Sequence, residues 1–432
     1  MKGAKLIAHA EGLVKGILFD CHTCGQCVLS KTGLICPMSC PKGLRNGPCG
    51  GTLDGKCEVY PDNRCVWVRI HERSPEDSLS EPHLLPALDA NLINTSSYLN
   101  LVTGADKSTR EYLEYLDLGD SRKSQPIHTP SNLESKLKAG TFVTTCELRA
   151  PRTASMKTVH RLALQLKDHF DAINATAYLS ARPSLPSPLV ASHLAQLGIE
   201  AICQTTCRDH TQTTFISELL ENQLNGVNNV LCLTGDAYVG VPKIRQVFDM
   251  DAALMLYEAR HLREKGVVHF SGDKVKDAPR PYLGAAINPF TTPTNVPIRR
   301  LKQKIAAGAD FIQTQVVFDI AGFRQFMELA RQEGLDREVF MLAGVPVVTS
   351  LRALEVVQRI PGVLLPDSIR KRLTSAADCA AEGLVMAQET AQEIRSISGI
   401  SGLHLMFFGP DHAVLPEVVR GLSKGQPNEE RN

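Results

Sequence analysis

Residues 141–170, TFVTTCELRAPRTASMKTVHRLALQLKDHF, contain the pattern that decides the fold. The run at 141–148 is rich in Thr, Val and Phe and predicts a strand, because β-branched and aromatic residues fit a pleated surface. In 159–170 apolar residues recur every three or four positions, which predicts an amphipathic helix. A strand followed by a helix is the repeating unit of proteins built on a parallel sheet.

The same alternation continues along the chain as far as residue 408. Further strand-like runs lie at 170–177, 200–207, 228–235, 281–289, 310–318, 339–347 and 402–408. Helical patterns lie between them at 187–198, 215–226, 249–266, 298–308, 321–334, 350–360 and 375–397. Roughly eight such units over about 300 residues predict an α/β protein with a (β/α)8 barrel. A doubly wound open sheet is the structural alternative, because spacing alone does not distinguish it from a closed barrel.

Composition indicates an ordinary globular protein of more than one domain. The chain has 432 residues, 43% of them hydrophobic and 22% charged, and single cores usually stop growing at roughly 250–300 residues. A formal net charge of +1 gives no field for holding a polyanion, so no nucleic-acid partner is expected. The N-terminus fits neither a secretory signal nor a membrane span, and no stretch reaches about 18 uninterrupted apolar residues. We therefore expect a cytoplasmic protein.

Cysteines are concentrated near the N-terminus. Eight of the 13 lie in one short segment, as Cys21, Cys24, Cys27, Cys36, Cys40, Cys49, Cys57 and Cys65. Without an export signal, clustering favours metal or cluster ligation over disulfides. The C-x2-C-x2-C run from Cys21 to Cys27 is typical of cubane clusters, whereas structural zinc is usually held by two C-x2-C pairs. The spacing predicts a [4Fe–4S] cluster, zinc, or both.

Two domains are expected from this organisation. Residues 1–130 would form a cysteine-rich metal or iron–sulfur domain with a linker, and residues 131–432 the barrel. Within the first, 1–20 predicts a short amphipathic helix and 108–119, STREYLEYLDLG, a second helix.

The barrel interpretation predicts where the chemistry lies. Active-site residues of such barrels stand at the C-terminal ends of strands and in the loops that follow them. Six polar residues occupy such positions: Glu147, Thr176, Gln204, Asp236, Asn288 and Gln315. For Glu147 we expect partial burial to raise the pKa of the carboxyl and suit it to general acid work.

Several motifs in order resemble methylenetetrahydrofolate reductases over nearly all of 135–408. They are VTTCELRAP at 143–151, ICQTTCRD at 202–209, VLCLTGD at 230–236, IAAGADFIQTQVVFD at 305–319, LAGVPV at 342–347 and GISGLHLMFF at 399–408. The segment 40–67 resembles the zinc or iron–sulfur subunit that accompanies acetogen-type versions of this reductase. Both parts would then lie in one polypeptide.

The resemblance implies roles for particular residues. Glu147 matches the family's proton donor, Asp236 the Asp near flavin and pterin, and Gln315 the Gln that hydrogen-bonds the folate. Flavin contacts would come from Asn174, Thr176, Gln204, Thr234, Gly235, Asp236 and Lys304. Gln204 stands where the family commonly has His, and Thr234 where it has Arg, so FMN and FAD both remain open.

The implied activity is flavin-dependent reduction of 5,10-methylenetetrahydrofolate to 5-methyltetrahydrofolate, or the reverse. The substrate would be a tetrahydrofolate, the electron donor NAD(P)H or a ferredoxin-like protein, and the assembly a homo-oligomer. Two alternatives stay open, namely a flavin-free methyltetrahydrofolate-dependent methyltransferase and a metal-stabilised non-catalytic scaffold. His404, near the end of the last strand, is interpreted as a structural histidine.

Overall fold

A closed barrel of parallel strands forms the body of the protein. The computed structural model describes residues 2–73, 84–106, 129–178, 182–238, 244–409 and 411–424. Each strand pairs with the next, and the eighth closes on the first. The strands are β1 (Val143–Leu148), β2 (Ala172–Ala175), β3 (Ala201–Thr206), β4 (Asn229–Leu233), β5 (Tyr282–Ile287), β6 (Phe311–Val316), β7 (Phe340–Val348) and β8 (Gly402–Phe408). Closure confirms the predicted (β/α)8 barrel and excludes the open sheet.

Helices alternate with these strands as the periodicity predicted. In the part of the chain that the structure describes, α1 (Lys2–Phe19), α2 (Val66–Arg73) and α3 (Ser97–Thr103) precede the barrel, and α4 (Asn132–Lys138) leads into β1. The others are α5 (Lys157–Leu166), α6 (Ser187–Gln196), α7 (Gln212–Leu224), α8 (Ala252–Lys265), α9 (Asn295–Ala307), α10 (Ile320–Gln332), α11 (Leu351–Val357), α12 (Asp367–Ser375), α13 (Cys379–Arg395) and α14 (Val414–Lys424). The helix predicted over 375–397 begins later, at Cys379, because the Asp378 side chain accepts hydrogen bonds from the first amides of α13 and caps it.

Apolar side chains close the barrel at the N-terminal ends of its strands. Tyr282 and Phe311 stack there with ring centroids 5.3 Å apart, and Leu133 and Leu137 of α4 pack in the same cluster. Gly284 makes room for this layer, since a Cβ at that position would lie 2.3 Å from the Phe311 ring. The opposite end, where the strands terminate, is therefore the open one.

The described residues 2–73 and 84–106 form what we call the N-terminal module. The predicted helix over 1–20 is confirmed as α1, whereas the one predicted over 108–119 lies outside the described residues. A small apolar cluster around Trp67, Val68 and Ile70 forms the core of the module. No helix in the described ranges is both long and apolar enough to cross a membrane.

The module packs against the open end of the barrel. Asn288, after β5, donates a hydrogen bond to the carbonyl of Gly50 over 2.8 Å. Asn46 donates one to the Asp251 carboxylate over 2.7 Å. The module therefore borders the barrel end at which chemistry is expected.

Candidate active site

An open pocket lies at the C-terminal ends of the strands, between the barrel and the N-terminal module. Its empty volume, counted out to the mouth, is about 1640 Å³. Its walls include eight residues that were predicted for the site, which are Glu147, Gln204, Thr234, Gly235, Asp236, Asn288, Lys304 and Gln315. Six strand-end positions were predicted to share one edge, and all but Thr176 reach this pocket.

Glu147 is held in the pocket wall by polar side chains from two other strands. It is 6% exposed, and Gln204 Nε2 donates a hydrogen bond to its Oε1 over 3.3 Å. His404 Nε2 lies 3.8 Å from the same oxygen. Burial raises the pKa of Glu147, but His404, Arg149 and Gln204 together outweigh it and hold the pKa below its ordinary value. The expected rise in pKa is thus wrong, because burial was weighed without these partners.

A buried hydrogen-bond chain supports His404 from beneath the pocket. Thr145 Oγ1 lies 2.9 Å from His404 Nδ1, and Gln313 Nε2 lies 3.4 Å from the same hydroxyl. Asn174 Nδ2 in turn donates to Gln313 Oε1 over 2.8 Å. If Thr145 donates to Nδ1, the other ring nitrogen carries the hydrogen and faces Glu147. His404 thus lies between this chain of polar side chains and the Glu147 carboxylate, with Nε2 facing the carboxylate.

Asn174 and Thr176, two of the expected flavin contacts, do not line the pocket. Both are buried, and Thr176 Oγ1 accepts a hydrogen bond from the Ala150 amide over 3.2 Å. Asn174 lies one side chain below the pocket surface, where it holds Gln313. The structure thus brings these two residues beside the site and not into its wall.

Asp236 follows β4 on a tightly held loop. Gly235 adopts a left-handed φ of 82°, and a Cβ there would lie 3.0 Å from the Arg208 Cβ. Arg208 donates to the Asp236 carbonyl over 3.1 Å. Burial and, after it, the charge of Glu58 raise the pKa of the Asp236 carboxyl. Water in the open pocket still reaches part of the surface of Asp236.

Two cations from α9 face the pocket one helical turn apart. Arg300 is 4% exposed and Lys304 is 8% exposed. Burial, and after it the charge of Arg300, lowers the pKa of Lys304 to about 7. Within the described residues, Arg300 Nε has no hydrogen-bond partner. Two desolvated cations with a spare donor form a ready site for an anion such as phosphate.

The N-terminal module supplies one wall of the pocket. Its contributions are Lys42, Pro48, Cys49, Gly50, Gly51 and Glu58. Lys42 and Glu58 form an ion pair with 2.5 Å between Nζ and Oε1, and their side chains are 3% and 2% exposed. A pocket in the barrel is therefore completed by residues that precede the barrel in sequence.

The eight N-terminal cysteines fall into two groups in space. All 13 cysteines of the chain are free thiols. The first group, Cys21, Cys24, Cys27 and Cys36, lines a small cavity beneath α1. Burial raises the pKa of Cys40 and Cys49, and Cys65 raises both further, while Cys57 also raises that of Cys40. These four thiols, Cys40, Cys49, Cys57 and Cys65, form the second group. Among the described residues, no three Cys, His, Asp or Glu side chains form a group that could hold a metal ion, so the metal site stays a prediction.

Sequence reasoning missed several residues that the pocket uses. Arg300 shares a face of α9 with Lys304 at i, i+4 spacing, a signal that could have found it. Arg208 lies two residues after the end of strand β3, which is also where barrel chemistry is expected. Lys42 and Glu58 carry no such signal, because their place depends on how the module docks.

Comparisons with known families identify both parts of the chain. Residues 132–420 match the model of the family described as methylenetetrahydrofolate reductase. Residues 3–85 match the model described as methylene-tetrahydrofolate reductase C terminal. The first match spans well over half of the chain and contains the whole barrel.

Curated relatives match the chain at low identity. Methylenetetrahydrofolate reductase 2 of Saccharomyces cerevisiae is 26% identical over 250 residues, which are 55% of this chain and 39% of that protein. Methylenetetrahydrofolate reductase (NADH) 1 of Arabidopsis thaliana is 27% identical over 226 residues, 50% of this chain and 37% of that one. The chain therefore spans about two fifths of the length of these relatives.

A solved structure shares the fold. It is an uncharacterized protein from Clostridium thermocellum described as binding two copies of 5-methyl-5,6,7,8-tetrahydrofolic acid. The TM-score is 0.51 at 14% identity, over 68% of this chain and 98% of that one. At this identity the likeness supports the barrel fold alone.

Proposed function

Because the chain belongs to the methylenetetrahydrofolate reductase family of oxidoreductases, we propose that it interconverts 5,10-methylenetetrahydrofolate and 5-methyltetrahydrofolate with a bound flavin. The observation that carries this proposal is the convergence of Glu147, Asp236 and Gln315 on one pocket, beside the cations of α9. FAD and FMN are both compatible with it. Reduction and the reverse oxidation use the same residues.

The polar groups of the pocket fit a flavin with a phosphate-bearing tail. Lys304 and Arg300 are buried cations, and an anion between them would offset the desolvation that lowers the pKa of both. Thr234 and Gln204 offer hydrogen-bonding groups on neighbouring strand ends. When bound, flavin supplies the hydride that reduces the methylene carbon. The residues named here would hold its phosphate and its polar ring edge.

Glu147 would deliver the proton that opens the folate bridge at N10. Gln204 and His404 hold its carboxyl at the pocket wall, so the proton is presented in a fixed direction. A ligand that displaces water from the pocket removes solvation from the carboxylate and raises the pKa of Glu147. Ligand binding therefore favours the protonated form of Glu147, which is the form that a proton donor needs. Gln315 would accept or donate at the pterin edge.

The substitution His404→Phe tests the interaction of His404 with Glu147 through the pH dependence of turnover. Removal of the imidazole takes away an interaction that lowers the pKa of Glu147, so that pKa rises. A proton donor is active below its pKa, and the limb on which turnover falls with rising pH therefore moves to higher pH. Steady-state rates across pH check this, with the exposed His160→Phe as control. An unmoved limb would separate His404 from the acid.

We further propose that the N-terminal cysteines bind metal in two sets. The first set is the group beneath α1 and the second consists of Cys40, Cys49, Cys57 and Cys65. Support comes from the thiols that share one cavity and from the nearby thiols of Cys65 and Cys57, which raise the pKa of Cys40. Either [4Fe–4S] clusters or zinc would suit thiolate ligands. No step of the reaction is assigned to the metal.

Single substitutions test whether each set of cysteines binds its own metal. We expect Cys24→Ser and Cys65→Ser each to lose about half of the bound iron or zinc, because one open ligand position weakens only its own site. Metal analysis of anaerobically purified protein measures this. The matched control is Cys379→Ser, a partly exposed thiol at the start of α13. Full metal content in both variants would remove these cysteines from the ligand sets.

Cofactor content tests the proposed function as a whole. Anaerobic purification followed by cofactor extraction should yield one flavin per chain, and the protein should form 5-methyltetrahydrofolate with NAD(P)H or a ferredoxin-like protein as electron donor. Protein that neither carries nor binds flavin, yet takes a methyl group from methyltetrahydrofolate, would favour the methyltransferase.

A further inference from the structure

We infer that the N-terminal module is part of the active site and that its Lys42–Glu58 ion pair positions Asp236. This inference rests on the proposed function for its catalytic consequence, while the contacts themselves are independent of it. The residues concerned lie outside the barrel. We therefore call them positioning residues.

The ion pair holds the loop that carries Asp236 from both sides. Lys42 Nζ donates to the carbonyl of Gly235 over 2.8 Å. The Ala237 amide donates to Glu58 Oε1 over 2.9 Å. The residues before and after Asp236 are thus tied to opposite members of one pair. From the barrel, the Arg208 side chain donates to the Asp236 carbonyl and the Arg208 amide donates to the Thr234 carbonyl.

The pair is fixed on its other sides by packing. Lys42 Nζ lies 5.5 Å from the centroid of the Phe248 ring. A Cβ at Gly51 would lie 1.6 Å from Glu58 Oε2, so a glycine is needed where the backbone passes the carboxylate. Gly362 is needed in the same way, because a Cβ there would lie 2.2 Å from the Gly50 carbonyl oxygen. The backbone of the module therefore passes close to both the ion pair and the barrel.

Burial of the Lys42–Glu58 pair costs desolvation free energy, so stability alone does not explain the pair. Both side chains are almost fully buried, and a buried ion pair is often no more stabilising than apolar residues of similar volume. The ion pair differs from apolar residues in that it binds polar backbone groups. Lys42 binds a carbonyl and Glu58 binds an amide of the same loop. A displacement of about 1 Å at a reacting group can cost about 100-fold in rate. Loss of the pair should therefore impair turnover more than folding.

The test is the double substitution Lys42→Met with Glu58→Leu in the full-length holoprotein. We expect its thermal stability to match that of the control, because both charges are removed together. We expect kcat for the folate reaction to fall about 10- to 100-fold with little change in KM. Hydrogen exchange at the Ala237 amide should accelerate at least about tenfold, since its acceptor is gone. The matched control is Lys31→Met with Asp62→Asn, two exposed charges of the same module.

The outcomes separate this inference from the proposed function. A double variant with unchanged exchange at Ala237, or with kcat within about twofold of the control, overturns the inference. If the double variant does not fold, Lys42→Met with Glu58→Met, whose unbranched side chains keep the length of both residues and remove the acceptor of the Ala237 amide, carries the same two readouts. A wild-type protein without folate turnover would defeat the proposed function, whereas the exchange measurement would still decide whether the pair holds the loop.

Discussion

Glu147→Gln should abolish most folate turnover while leaving the flavin bound and reducible. The amide keeps the size of the side chain and its contact with Gln204, but it cannot donate the acidic proton. General acid catalysis typically contributes about 10²–10⁴-fold, so we expect a loss of at least about 100-fold in kcat. Steady-state turnover and the visible spectrum of the bound flavin measure the two properties separately.

The matched control for this prediction is Glu221→Gln. Glu221 lies on α7 and is exposed, so the same chemical change there should leave turnover within about twofold of wild type. A Glu147→Gln protein with normal turnover would remove this carboxyl from proton transfer. A protein that loses its flavin would instead make Glu147 a structural residue of the pocket.

Lys304→Met should weaken cofactor binding and stabilise the cofactor-free protein. The side chain is buried next to Arg300, and its pKa is lowered to about 7. A charge-assisted hydrogen bond contributes about 1.5–3 kcal/mol, so loss of the contact to phosphate should raise the dissociation constant of the flavin roughly 10- to 150-fold. Titration of the cofactor-free protein with FMN and FAD would measure it.

The stability change of this variant has a definite pH dependence. The folded-state pKa of Lys304 lies below the ordinary lysine value of 10.5, so protonation opposes folding, and the penalty is complete below about pH 7. It disappears as pH rises toward the unfolded-state value. At ~1.4 kcal/mol per pKa unit, Lys304→Met should gain at most ~5 kcal/mol in unfolding free energy near neutral pH. Lys302→Met on the same helix, which removes a surface pair with Glu333, is the control.

Cofactor binding should itself depend on pH if Lys304 holds an anion. Binding favours the protonated lysine, so affinity should be constant below about pH 7 and decline above it. A pH-independent affinity in wild type, together with an unchanged affinity in Lys304→Met, would place the phosphate elsewhere.

The barrel could be predicted from sequence because its signals are local. Each strand and helix of the barrel has its own periodicity, and parallel strands bring their C-terminal ends to one edge. This suffices to bring Glu147, Asp236 and Gln315 to one pocket. These local signals do not show where Asn174 points. Its side chain projects into the barrel one layer below the pocket surface and bonds Gln313.

Long-range contacts explain what the sequence could not provide. The direction of the Glu147 pKa depends on His404 and Arg149, and the first of these comes from the last strand of the barrel. The positioning of Asp236 by Lys42 and Glu58 depends on docking of a separate segment of chain. Residue type and spacing indicate neither His404 as a partner of Glu147 nor the Lys42–Glu58 pair as a partner of the Asp236 loop. Such contacts form only when distant segments of the chain pack together.

A single-turnover experiment tests the central claim most directly. The protein, loaded with flavin and reduced anaerobically, is mixed with 5,10-methylenetetrahydrofolate, and the return of oxidised-flavin absorbance is followed with product analysis. We expect one 5-methyltetrahydrofolate to form per flavin reoxidised, and reoxidation to be slow in Glu147→Gln. Flavin that stays reduced in the presence of the folate, or that reoxidises without methylfolate being formed, would contradict it.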